Sequence, residues 1–586
     1  MDTTTLLGQK IKEAVKKLYS IEVAQIVIEK PDNEQFGDFA TNIALLISKD
    51  IRKVPLDIAH ELAMELQSMD ITFEKDSAKY KVFEKIEAVR PGFINFKLSK
   101  DFLISSANEI LEVNDAYGAS AIGGHKNVII EYSQPNPNKP MHIGHSRNNF
   151  LGSSLAKILE FVGYKVTKAN YMNDWGTHIA KSMLMYQKFG NDTTPSSVNE
   201  KPDHFVGKFY VMYEVQVEQH PELADELAEM FRKMEALDRV VLALWEKVTG
   251  WVYEGWKETY ANENVAFDVW FYQHDYRESG KEVVAAALEK GIAEKDPSGA
   301  VIARLEKYGL PDKVLLRADG TSIYSTQDLQ LAKDNYEKYH FDKRIYVVDA
   351  RQSDYFKQIF KVTEILGFEF ASKLHHVGYG FVALPEGKMS SRKGNVVAAD
   401  DVFNKLCELE RTEIAGSIKG AVGSEETVRR VALAAYRYSL LKVDPKQDII
   451  FNYSQVTKFD GNTGPYLLYT YARACSVLEK AGYMNKSLEP YMWPEISLET
   501  KEESLVRNLI RFESVVLAAA DGFAPNIIAN YVYDIAQKFN SFYGECPILS
   551  APTEEKKLLR LVLTKATSQV IKNGLGLLGI DVVEKM

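Results

Sequence analysis

Two histidines and a glycine stand at a spacing that could hold a phosphate group. His142, Gly144 and His145 lie in the stretch NPNKPMHIGH, and Lys139 precedes them by three residues. Imidazole and ammonium groups donate hydrogen bonds to phosphate oxygens. A glycine leaves room for a flat group to lie against the backbone. The stretch therefore predicts an anion site, and the alternative is a helix cap in which the histidines are incidental.

A second group of cations and hydroxyls follows about 240 residues later. The stretch KMSSRKGN, residues 388–395, holds Lys388, Ser390, Ser391 and Lys393 in a loop bounded by glycine. Several cations and donors within a few residues are typical of a loop that binds phosphate. The alternative is a solvated basic turn.

The sequence around the histidines predicts a strand, a loop and a helix. The apolar run NVIIEYS at 127–133 predicts a buried strand, and the prolines of QPNPNKP predict a loop. Apolar side chains then recur on one helical face that a glycine ends, namely Leu151, Leu155, Ile158, Leu159, Val162 and Gly163. Free N–H groups and the helix dipole attract anions to such an amino end. We therefore expect the histidines at the junction between a strand and a helix.

Three zones of different pattern follow one another along the chain. The first, to about 118, mixes amphipathic helix with short strands. Strand-like runs alternate with helical periods from about 120 to about 380, which predicts βαβ units and a parallel sheet. From about 425 onward the pattern is almost wholly helical. We predict a Rossmann-like α/β domain between an α+β N-terminal domain and an all-α C-terminal domain.

Composition excludes several classes of protein. Of the 586 residues 46% are hydrophobic and 26% are charged, which is typical of a globular chain with more than one domain. No stretch approaches the roughly 20 apolar residues of a membrane span, and the first residues do not resemble a targeting segment. The net charge of −10 argues against nonspecific coating of nucleic acid. We expect a cytoplasmic protein.

Cysteine usage gives no sign of a disulfide or zinc framework. The three cysteines, Cys407, Cys475 and Cys546, lie far apart in the sequence. Such spacing suits neither paired disulfides nor a zinc knuckle. We expect reduced thiols and no protein-bound metal.

The two motifs together resemble the HIGH and KMSKS-type signatures of class I aminoacyl-tRNA synthetases. Four stretches resemble the arginyl-tRNA synthetases within that class: EYSQPNPNKPMHIGHSRN, YMNDWGTHIAK, TSIYSTQDLQLA and YVVDARQSDYFKQIF. Because QFGDFATNIALLISK and GLGLLGIDVVEKM are also similar to that family, the resemblance covers essentially the whole chain. It implies a ligase that activates L-arginine with ATP and transfers the arginyl group to the 2′-hydroxyl of the terminal adenosine of tRNA(Arg).

The resemblance also implies a division of the chain into four parts. Residues 1–118 would bind the tRNA elbow, and residues 119–380 would form the catalytic domain with a helical insertion at about 185–300. Residues 381–450 would carry the KMSKS-type loop and connecting helices. Residues 451–586 would form the helical domain that reads the anticodon. The expected ligands are tRNA(Arg), L-arginine and ATP with Mg²⁺, and the expected state is a monomer.

The resemblance assigns ATP to the residues of both motifs. Imidazoles would contact the phosphates, Gly144 would accommodate the adenine, and lysines with neighbouring hydroxyls would neutralise the far phosphates; the set is His142, His145, Gly144, Lys139, Lys388, Ser390, Ser391 and Lys393. The shares of Lys139 and Lys388 stay open. No covalent enzyme intermediate is required, because such catalysis is chiefly positioning and electrostatic stabilisation.

A pocket for arginine needs a carboxylate, because the guanidinium is planar and permanently charged. Tyr324 and Asp328 are four apart, so on a helix they share a face. By resemblance these two side chains hold the guanidinium. The alternative is that Asp328 belongs to a capping box with Ser325 at a helix start.

The amino-acid end of arginine has its own predicted contacts. By resemblance, Gln352, Ser133 and Asn136 bind that end, together with His145, and Glu131 orients the group. The alternative for Glu131 is an ordinary residue at a strand end.

A second carboxylate for the guanidinium is not settled by the sequence. The resemblance places an acidic residue shortly after an FDV-type strand. Here FDVWFYQHDYRESG has Gln273 near that place and Asp275 two residues later. The identity of a second acidic partner stays open.

Aromatic residues mark a region where RNA could bind. Tyr466, Tyr469, Tyr471 and Arg473 lie in one predicted helix. Unpaired bases stack on such rings, but a core stripe is the better interpretation for most of them.

Two other functions remain possible from the sequence. One is another HxGH nucleotidyltransferase, which would not need a helical C-terminal domain or so distant a KMSSRKG loop. The other is a synthetase-derived RNA-binding protein without activity, in which we would expect one of the two motifs to be degraded. Both motifs are intact.

Overall fold

The computed structural model of the chain describes most of its residues: 3–29, 31, 36–69, 71–75, 78–385, 397–417, 424–484, 486 and 496–586. Within these ranges, no helix combines the length and apolar composition that crossing a membrane would require.

The first zone is an α+β unit. Its elements are α1 (Thr3–Tyr19), β1 (Ile28–Glu29), β2 (Phe39–Thr41), α2 (Ile43–Ile51), α3 (Pro55–Ser68), β3 (Thr72–Lys75), β4 (Ala78–Lys81), β5 (Phe83–Val89), β6 (Phe93–Leu98) and α4 (Lys100–Val113). Four strands form an antiparallel sheet in the order β1-β2-β6-β5. Helix α3 packs against β5 and β6, and α1 packs against α3.

The second zone alternates strands and helices as predicted. Its elements are β7 (Asn127–Glu131), α5 (Ile143–Phe161), β8 (Lys165–Met172), α6 (Thr177–Phe189), α7 (Pro202–Gln216), α8 (Glu222–Glu235), α9 (Arg239–Asn262), β9 (Val269–Tyr272), α10 (Lys281–Glu289), β10 (Ala293–Lys295), β11 (Val301–Ala303), β12 (Lys313–Leu316), α11 (Tyr324–Tyr339), β13 (Lys343–Asp349), α12 (Ser353–Ile365), β14 (Leu374–Tyr379) and β15 (Val382–Ala383). Five of the strands form a wholly parallel sheet in the order β14-β13-β7-β8-β9.

The strand order creates a crevice beside β7. From β7 the chain proceeds outward to β8 and β9 on one side, and to β13 and β14 on the other. Ligands of such sheets bind outside the carboxyl ends of the strands at this switch point. Glu131 ends β7 and pairs with Tyr346 of β13 and Ala169 of β8, so it lies at that point.

The predicted helical insertion at about 185–300 is too long. The helices end at Asn262, and Val269–Tyr272 then joins the parallel sheet as β9 beside β8. Strands β10, β11 and β12 form a separate antiparallel sheet between residues 293 and 316. The run VWFY explains the return to the sheet, because aromatic and β-branched residues fit a pleated surface.

The described residues of the third zone are helical apart from loops and a two-residue strand. Its elements are α13 (Ala399–Ser417), α14 (Glu425–Leu441), β16 (Ile449–Ile450), α15 (Tyr453–Val456), α16 (Gly464–Lys480), α17 (Thr500–Leu509), α18 (Phe512–Asp521), α19 (Pro525–Glu545) and α20 (Glu554–Leu577). Strand β16 pairs in parallel with β15.

Helix α5 is the central helix of the molecule. It packs on β7, β8 and β13 and also against α13, α14, α18, α19 and α20. Its predicted apolar face is buried, and the helix ends where Gly163 adopts φ +89°. A helix enclosed on all sides gives its amino end little freedom to move.

Candidate active site

The amino end of α5 carries the two histidines, as the sequence predicts. His142 is the N-cap residue, and its ring Nδ1 accepts a hydrogen bond from Gly144 N at 3.1 Å. His145 Nδ1 accepts from His142 N, also at 3.1 Å. The capping alternative is therefore correct as a description of the Nδ1 atoms. The described part of the chain gives no hydrogen bond to the opposite ring nitrogens, Nε2.

The surroundings keep both imidazoles neutral. Burial, followed by the nearby Lys139 ammonium, lowers the pKa of His142 to about 4. Burial and then His142 and Lys139 lower the pKa of His145 well below its usual value. A neutral imidazole whose Nδ1 accepts carries its hydrogen on Nε2. Each ring thus presents one N–H donor, and the two rings stack with centroids 3.8 Å apart.

Gly144 is needed by the protein itself. A Cβ at this position would lie 2.9 Å from His142 Cε1. The space that glycine leaves is therefore faced by the His142 ring. The predicted contact of Gly144 with adenine stays a prediction.

Lys139 lies in the loop before α5 and is packed against the helical insertion. Its Nζ lies 5.5 Å from the centre of the Tyr210 ring of α7, and its carbonyl oxygen accepts from Trp256 Nε1 at 3.2 Å. Burial lowers the pKa of the Lys139 amine. The ammonium has no ion-pair partner among the residues that the structure describes.

The residues of the KMSSRKGN loop, including Lys388, Ser390, Ser391 and Lys393, lie outside the described residues. The chain after that loop is attached to the amino end of α5. Ala398 forms an antiparallel bridge with His142, and Ala399 N donates to Met141 O at 2.8 Å.

Asp400 fixes the same stretch to the insertion. Its carboxylate accepts from Lys201 Nζ at 2.7 Å and from Thr259 Oγ1 at 3.0 Å, and it lies 3.1 Å from His204 Nε2. The hydrogen bond to Asp400 raises the pKa of His204. The start of α13 is thereby tied to α7 and α9.

Arg147 attaches α5 to the chain that enters the loop. This fully buried guanidinium donates to backbone carbonyls only: Gly380, Phe381, Asp444, Pro445 and Gln447, at 2.7–3.3 Å. Carbonyl oxygens accept from both Nη atoms without a counter-charge, whereas Nε has no hydrogen-bond partner among the described residues, and burial lowers the pKa of Arg147 to about 10. Both described sides of the KMSSRKGN segment are therefore held by the first turns of α5.

A cavity of about 500 Å³, which we call the edge cavity, opens at the crevice beside β7. Its wall comes from the carboxyl ends of β7, β8 and β13, from the start of β12, and from α11 and α12 with the residues beside them: Glu131, Gln134, Tyr171, Asn173, Lys313, Ile323, Tyr324, Ser325, Asp328, Tyr346, Val348, Gln352, Tyr355 and Phe356. Four residues predicted to bind arginine are among them, namely Glu131, Tyr324, Asp328 and Gln352.

Asp328 lines the edge cavity and does not cap helix α11. Helix α11 begins at Tyr324, and Thr326 Oγ1 accepts from Ile323 N at its start. Ser325 instead donates to Val314 O at 2.7 Å. Tyr355 Oη donates to Asp328 Oδ2, and burial raises the pKa of Asp328 to about 7.

Glu131, the second carboxylate of the edge cavity, is already paired. Its Oε2 lies 2.7 Å from Nη2 of the fully buried Arg344, and its Oε1 accepts from Gln134 Nε2 at 2.8 Å. The Arg344 guanidinium lies over the Tyr346 ring at 4.8 Å. Since this charge is compensated, Asp328 is the carboxyl of the wall that a cationic ligand would meet.

Ser133 and Asn136 are not brought to the cavity wall. Ser133 is buried, and its hydroxyl lies 2.7 Å from Tyr260 Oη. Asn136 stands one hydrogen bond behind the wall, where its Oδ1 accepts from Asn173 Nδ2 at 2.7 Å. Their predicted roles at the amino-acid end stay predictions.

Neither candidate for a further carboxylate lines the edge cavity. Gln273 is buried, where it donates to Gln327 Oε1 at 3.2 Å and accepts from Trp175 N at 3.4 Å. Asp275 is exposed and lies 3.4 Å from His274 Nε2.

The sequence did not single out the β8 end of the wall. Tyr171 and Asn173 lie there, and among the described residues Tyr171 Oη and Asn173 Oδ1 have no hydrogen-bond partner. The position of YMNDWG at the end of a strand next to β7 was the available signal. Tyr346 and Tyr355 lie in the stretch YVVDARQSDYFKQIF, but no role was predicted for either side chain, and Lys313 lies in none of the stretches that carry the resemblance.

The aromatic residues of α16 divide between core and surface. Tyr471 is buried, so the core interpretation is correct for this residue. The Tyr466 hydroxyl accepts from Asn540 Nδ2 at 2.9 Å. Tyr469 is exposed, and the Arg473 guanidinium lies 4.8 Å from its ring and 5.3 Å from the exposed Tyr543 ring.

Family models match the chain in three consecutive segments. Residues 5–98 match the arginyl tRNA synthetase N terminal domain, residues 107–453 match the catalytic domain of class I tRNA synthetases (R), and residues 467–586 match the DALR anticodon binding domain.

Individual proteins match over the full length. The arginine–tRNA ligase of Parabacteroides distasonis is 38% identical over 98% of each chain, and that of Bacteroides fragilis is 39% identical over 99% of each chain. Among solved structures, the arginyl-tRNA synthetase of Thermus thermophilus is similar with a TM-score of 0.80, 26% identity and full coverage of both chains.

Proposed function

The chain belongs to the arginyl-tRNA synthetase family, and we propose that it binds L-arginine in the edge cavity and ATP at the amino end of α5. Its activity is that of an arginine–tRNA ligase. The arginine carboxylate attacks the α-phosphorus of ATP, pyrophosphate leaves, and the arginyl group of the adenylate then passes to the terminal adenosine of tRNA(Arg).

The observation that carries the assignment is the charge of the edge cavity. Among the described residues no cation is bonded to Asp328, on which Lys313 of the same wall acts only as a nearby charge, whereas Glu131 is compensated by Arg344. A guanidinium supplies the missing positive charge, and its planar N–H donors suit the carboxyl and the phenols around it. A cavity of about 500 Å³ is large enough for one amino acid.

The two ends of arginine have different partners in this proposal. Asp328 and Tyr324 of α11 hold the guanidinium. Gln352 lies at the end of β13 and takes the amino-acid end, together with the Asn136–Asn173 pair at the end of β8. The carboxylate of arginine then points toward α5, because the loop from β7 leads directly to His142.

ATP is bound by neutral donors and by lysines. The Nε2–H groups of His142 and His145 and the first N–H groups of α5 donate to phosphate oxygens, and Lys139 supplies a cation beside them. Lys388, Ser390, Ser391 and Lys393 act on the far phosphates. Mg²⁺ accompanies ATP as part of the substrate. Donors fixed before the reaction stabilise the charge that develops on the phosphates in the transition state.

The tRNA contacts lie at the two ends of the chain. The exposed rings of Tyr469 and Tyr543, with the half-buried Arg473 guanidinium beside both, offer surfaces on which unpaired anticodon bases can stack. Residues 1–118 bind the tRNA elbow. The chain acts as a monomer, and light scattering of the purified protein with and without tRNA checks that state.

Aminoacylation of total tRNA with each of the twenty amino acids tests the substrate. We expect charging with arginine alone, because a ligand without a guanidinium would leave the polar groups around Asp328 unpaired. Preferential charging with any other amino acid would contradict the assignment of the edge cavity.

Exchange of pyrophosphate into ATP tests the first step. We expect exchange that depends on arginine and increases on addition of tRNA(Arg). Exchange with a different small metabolite in place of arginine would identify an HxGH nucleotidyltransferase, and the absence of any exchange would identify a binding protein.

A further inference from the structure

The helical insertion packs directly on the loop that carries Lys139. A Cβ added to Gly207 of α7 would lie 2.6 Å from Pro140 Cδ and 3.4 Å from Lys139 Cα. From the other side, Trp256 of α9 donates to the Lys139 carbonyl at 3.2 Å. Two helices of the insertion therefore fix the backbone of Lys139.

The side chain of Lys139 is held by the same helix. Its Nζ lies 5.5 Å from the centre of the Tyr210 ring, one helical turn after Gly207. An ammonium within about 6 Å of a ring centre is attracted by the negative face of the ring. Lys181 lies 5.9 Å from the same ring, but Glu214 already pairs with Lys181 at 2.6 Å. Of the two lysines beside Tyr210, Lys181 is paired with a carboxylate, whereas Lys139 has the Tyr210 ring in that place.

An aromatic partner has a specific advantage next to a phosphate site. A carboxylate bonded to Lys139 would compete with the phosphate for the ammonium and would repel the phosphate. The neutral Tyr210 ring orients the ammonium without bonding to its charge, on which Glu214 acts only as a nearby carboxylate. Burial also lowers the pKa of the Lys139 amine, and an anion that binds beside the amine raises that pKa again.

We propose that Tyr210 is a positioning residue for ATP, whose ring holds the Lys139 ammonium toward the amino end of α5. The helical insertion therefore has a part in the activation step through α7. This inference rests on the proposed function, because it assumes that Lys139 binds the phosphates of ATP.

The first experiment measures arginine-dependent exchange of pyrophosphate into ATP, with tRNA(Arg) present, for the full chain. Tyr210→Leu removes the ring, and we expect its kcat/KM for ATP to fall about three- to thirtyfold, which is the range of a partly desolvated cation–π contact. The KM for arginine should change less than twofold. Tyr210→Phe keeps the ring and should retain most of the activity.

A double-mutant cycle separates positioning from general damage to the insertion. In a Lys139→Met background, Tyr210→Leu should have less than a twofold further effect, because the ring acts through the ammonium. Val211→Ala, an exposed change on the same helix, is the matched control and should behave as the wild type. Gly207→Ala should also weaken the use of ATP, since its Cβ displaces the loop.

The outcomes distinguish the inference from the function on which it rests. If Lys139→Met is impaired while Tyr210→Leu is not, only the role of Tyr210 is wrong. Equal losses from Tyr210→Leu in both backgrounds, or equal losses from Tyr210→Leu and Tyr210→Phe, would also overturn it. If Lys139→Met uses ATP normally, the assignment of Lys139 to ATP is wrong as well. A wild-type chain that does not activate arginine would instead contradict the proposed function.

Discussion

The amino end of α5 and the edge cavity lie at one edge of the parallel sheet, but the ligands that we propose for them have opposite charge. At α5, burial lowers the pKa of His142 to about 4 and leaves an uncharged donor. In the edge cavity, burial raises the pKa of Asp328 to about 7 and leaves a carboxyl that is half protonated at neutral pH. Desolvation thus disfavours the charged forms of His142 and Asp328 before a ligand is bound.

The two regions differ in how the ligand restores the charge. The donors at α5 need no ionisation, because N–H groups and the helix dipole attract phosphate in their neutral state. Asp328 must lose a proton to form an ion pair with a guanidinium. We therefore expect recognition of ATP to be insensitive to pH in the range where recognition of arginine changes.

The largest expected effect comes from removing the charge of the edge cavity. Asp328→Asn keeps the shape of the side chain and leaves the guanidinium of arginine without its counter-charge. Breaking a buried ion pair by removing one partner costs about 3–5 kcal/mol, so kcat/KM for arginine should fall by roughly a hundred- to several-thousandfold. The KM for ATP should stay within about threefold of the wild type. Steady-state exchange kinetics measure both, and equal losses for the two substrates would contradict the separation of the regions.

The mirror experiment removes a donor at α5 and keeps its cap. Asn is a good N-cap residue, so in His142→Asn the side-chain oxygen can still accept from Gly144 N while the Nε2 donor is lost. Loss of one preorganised donor costs about a hundredfold in kcat. Thermal unfolding should be unchanged, and the KM for arginine should be as in the wild type. A normal kcat in this variant would mean that His142 serves only as a cap.

How far the sequence predicts these regions depends on the range of the contacts. The strand, the loop and α5 were predicted correctly, because apolar periodicity and proline are local signals. The position of Tyr324 and Asp328 on one helix was local as well. The pairing of Glu131 with Arg344 joins residues far apart in the chain, and no local pattern indicates it.

The same reason explains what the sequence missed. Tyr355 belongs to α12 and reaches Asp328 only because α11 and α12 pack on the same face of the sheet. The insertion can pack on the Lys139 loop because Gly207 has no side chain to collide with Pro140. The sequence around Gly207 does not indicate this contact. The extent of the insertion was overestimated because β9 is only four residues long.

The next prediction concerns the proton that the Asp328 carboxyl loses when arginine binds. With a pKa of about 7, Asp328 is half protonated at pH 7, and a bound guanidinium favours the charged carboxylate. Binding of arginine should therefore release about half a proton at pH 7. Affinity should be full above pH 7 and should fall by up to about tenfold per unit as pH drops below it. Calorimetry in buffers of different ionisation enthalpy measures the release.

A matched variant identifies the group that loses this proton. Burial also raises the pKa of Glu263 to about 7, but Glu263 does not line the edge cavity. Glu263→Gln should therefore keep the proton release on arginine binding. A release that disappears in Glu263→Gln, or a heat of binding that does not depend on the buffer, would assign the titration to a group other than Asp328.

The smallest expected effect concerns Gln273 and Asp275, the positions at which the sequence left a further acidic partner for the guanidinium open. Gln273→Glu places a charge at a buried position where the amide now donates to Gln327 and accepts from Trp175 N. Because Gln273 does not line the edge cavity, the KM for arginine should change by less than about threefold, whereas the buried unpaired charge should lower stability by about 1–3 kcal/mol. Asp275→Asn, at an exposed position, should alter neither quantity. Steady-state kinetics and denaturant unfolding of the two variants measure these quantities. A tenfold lower KM for arginine in Gln273→Glu would show that the guanidinium lies within reach of this residue. Asp328 alone would then not account for binding of the guanidinium.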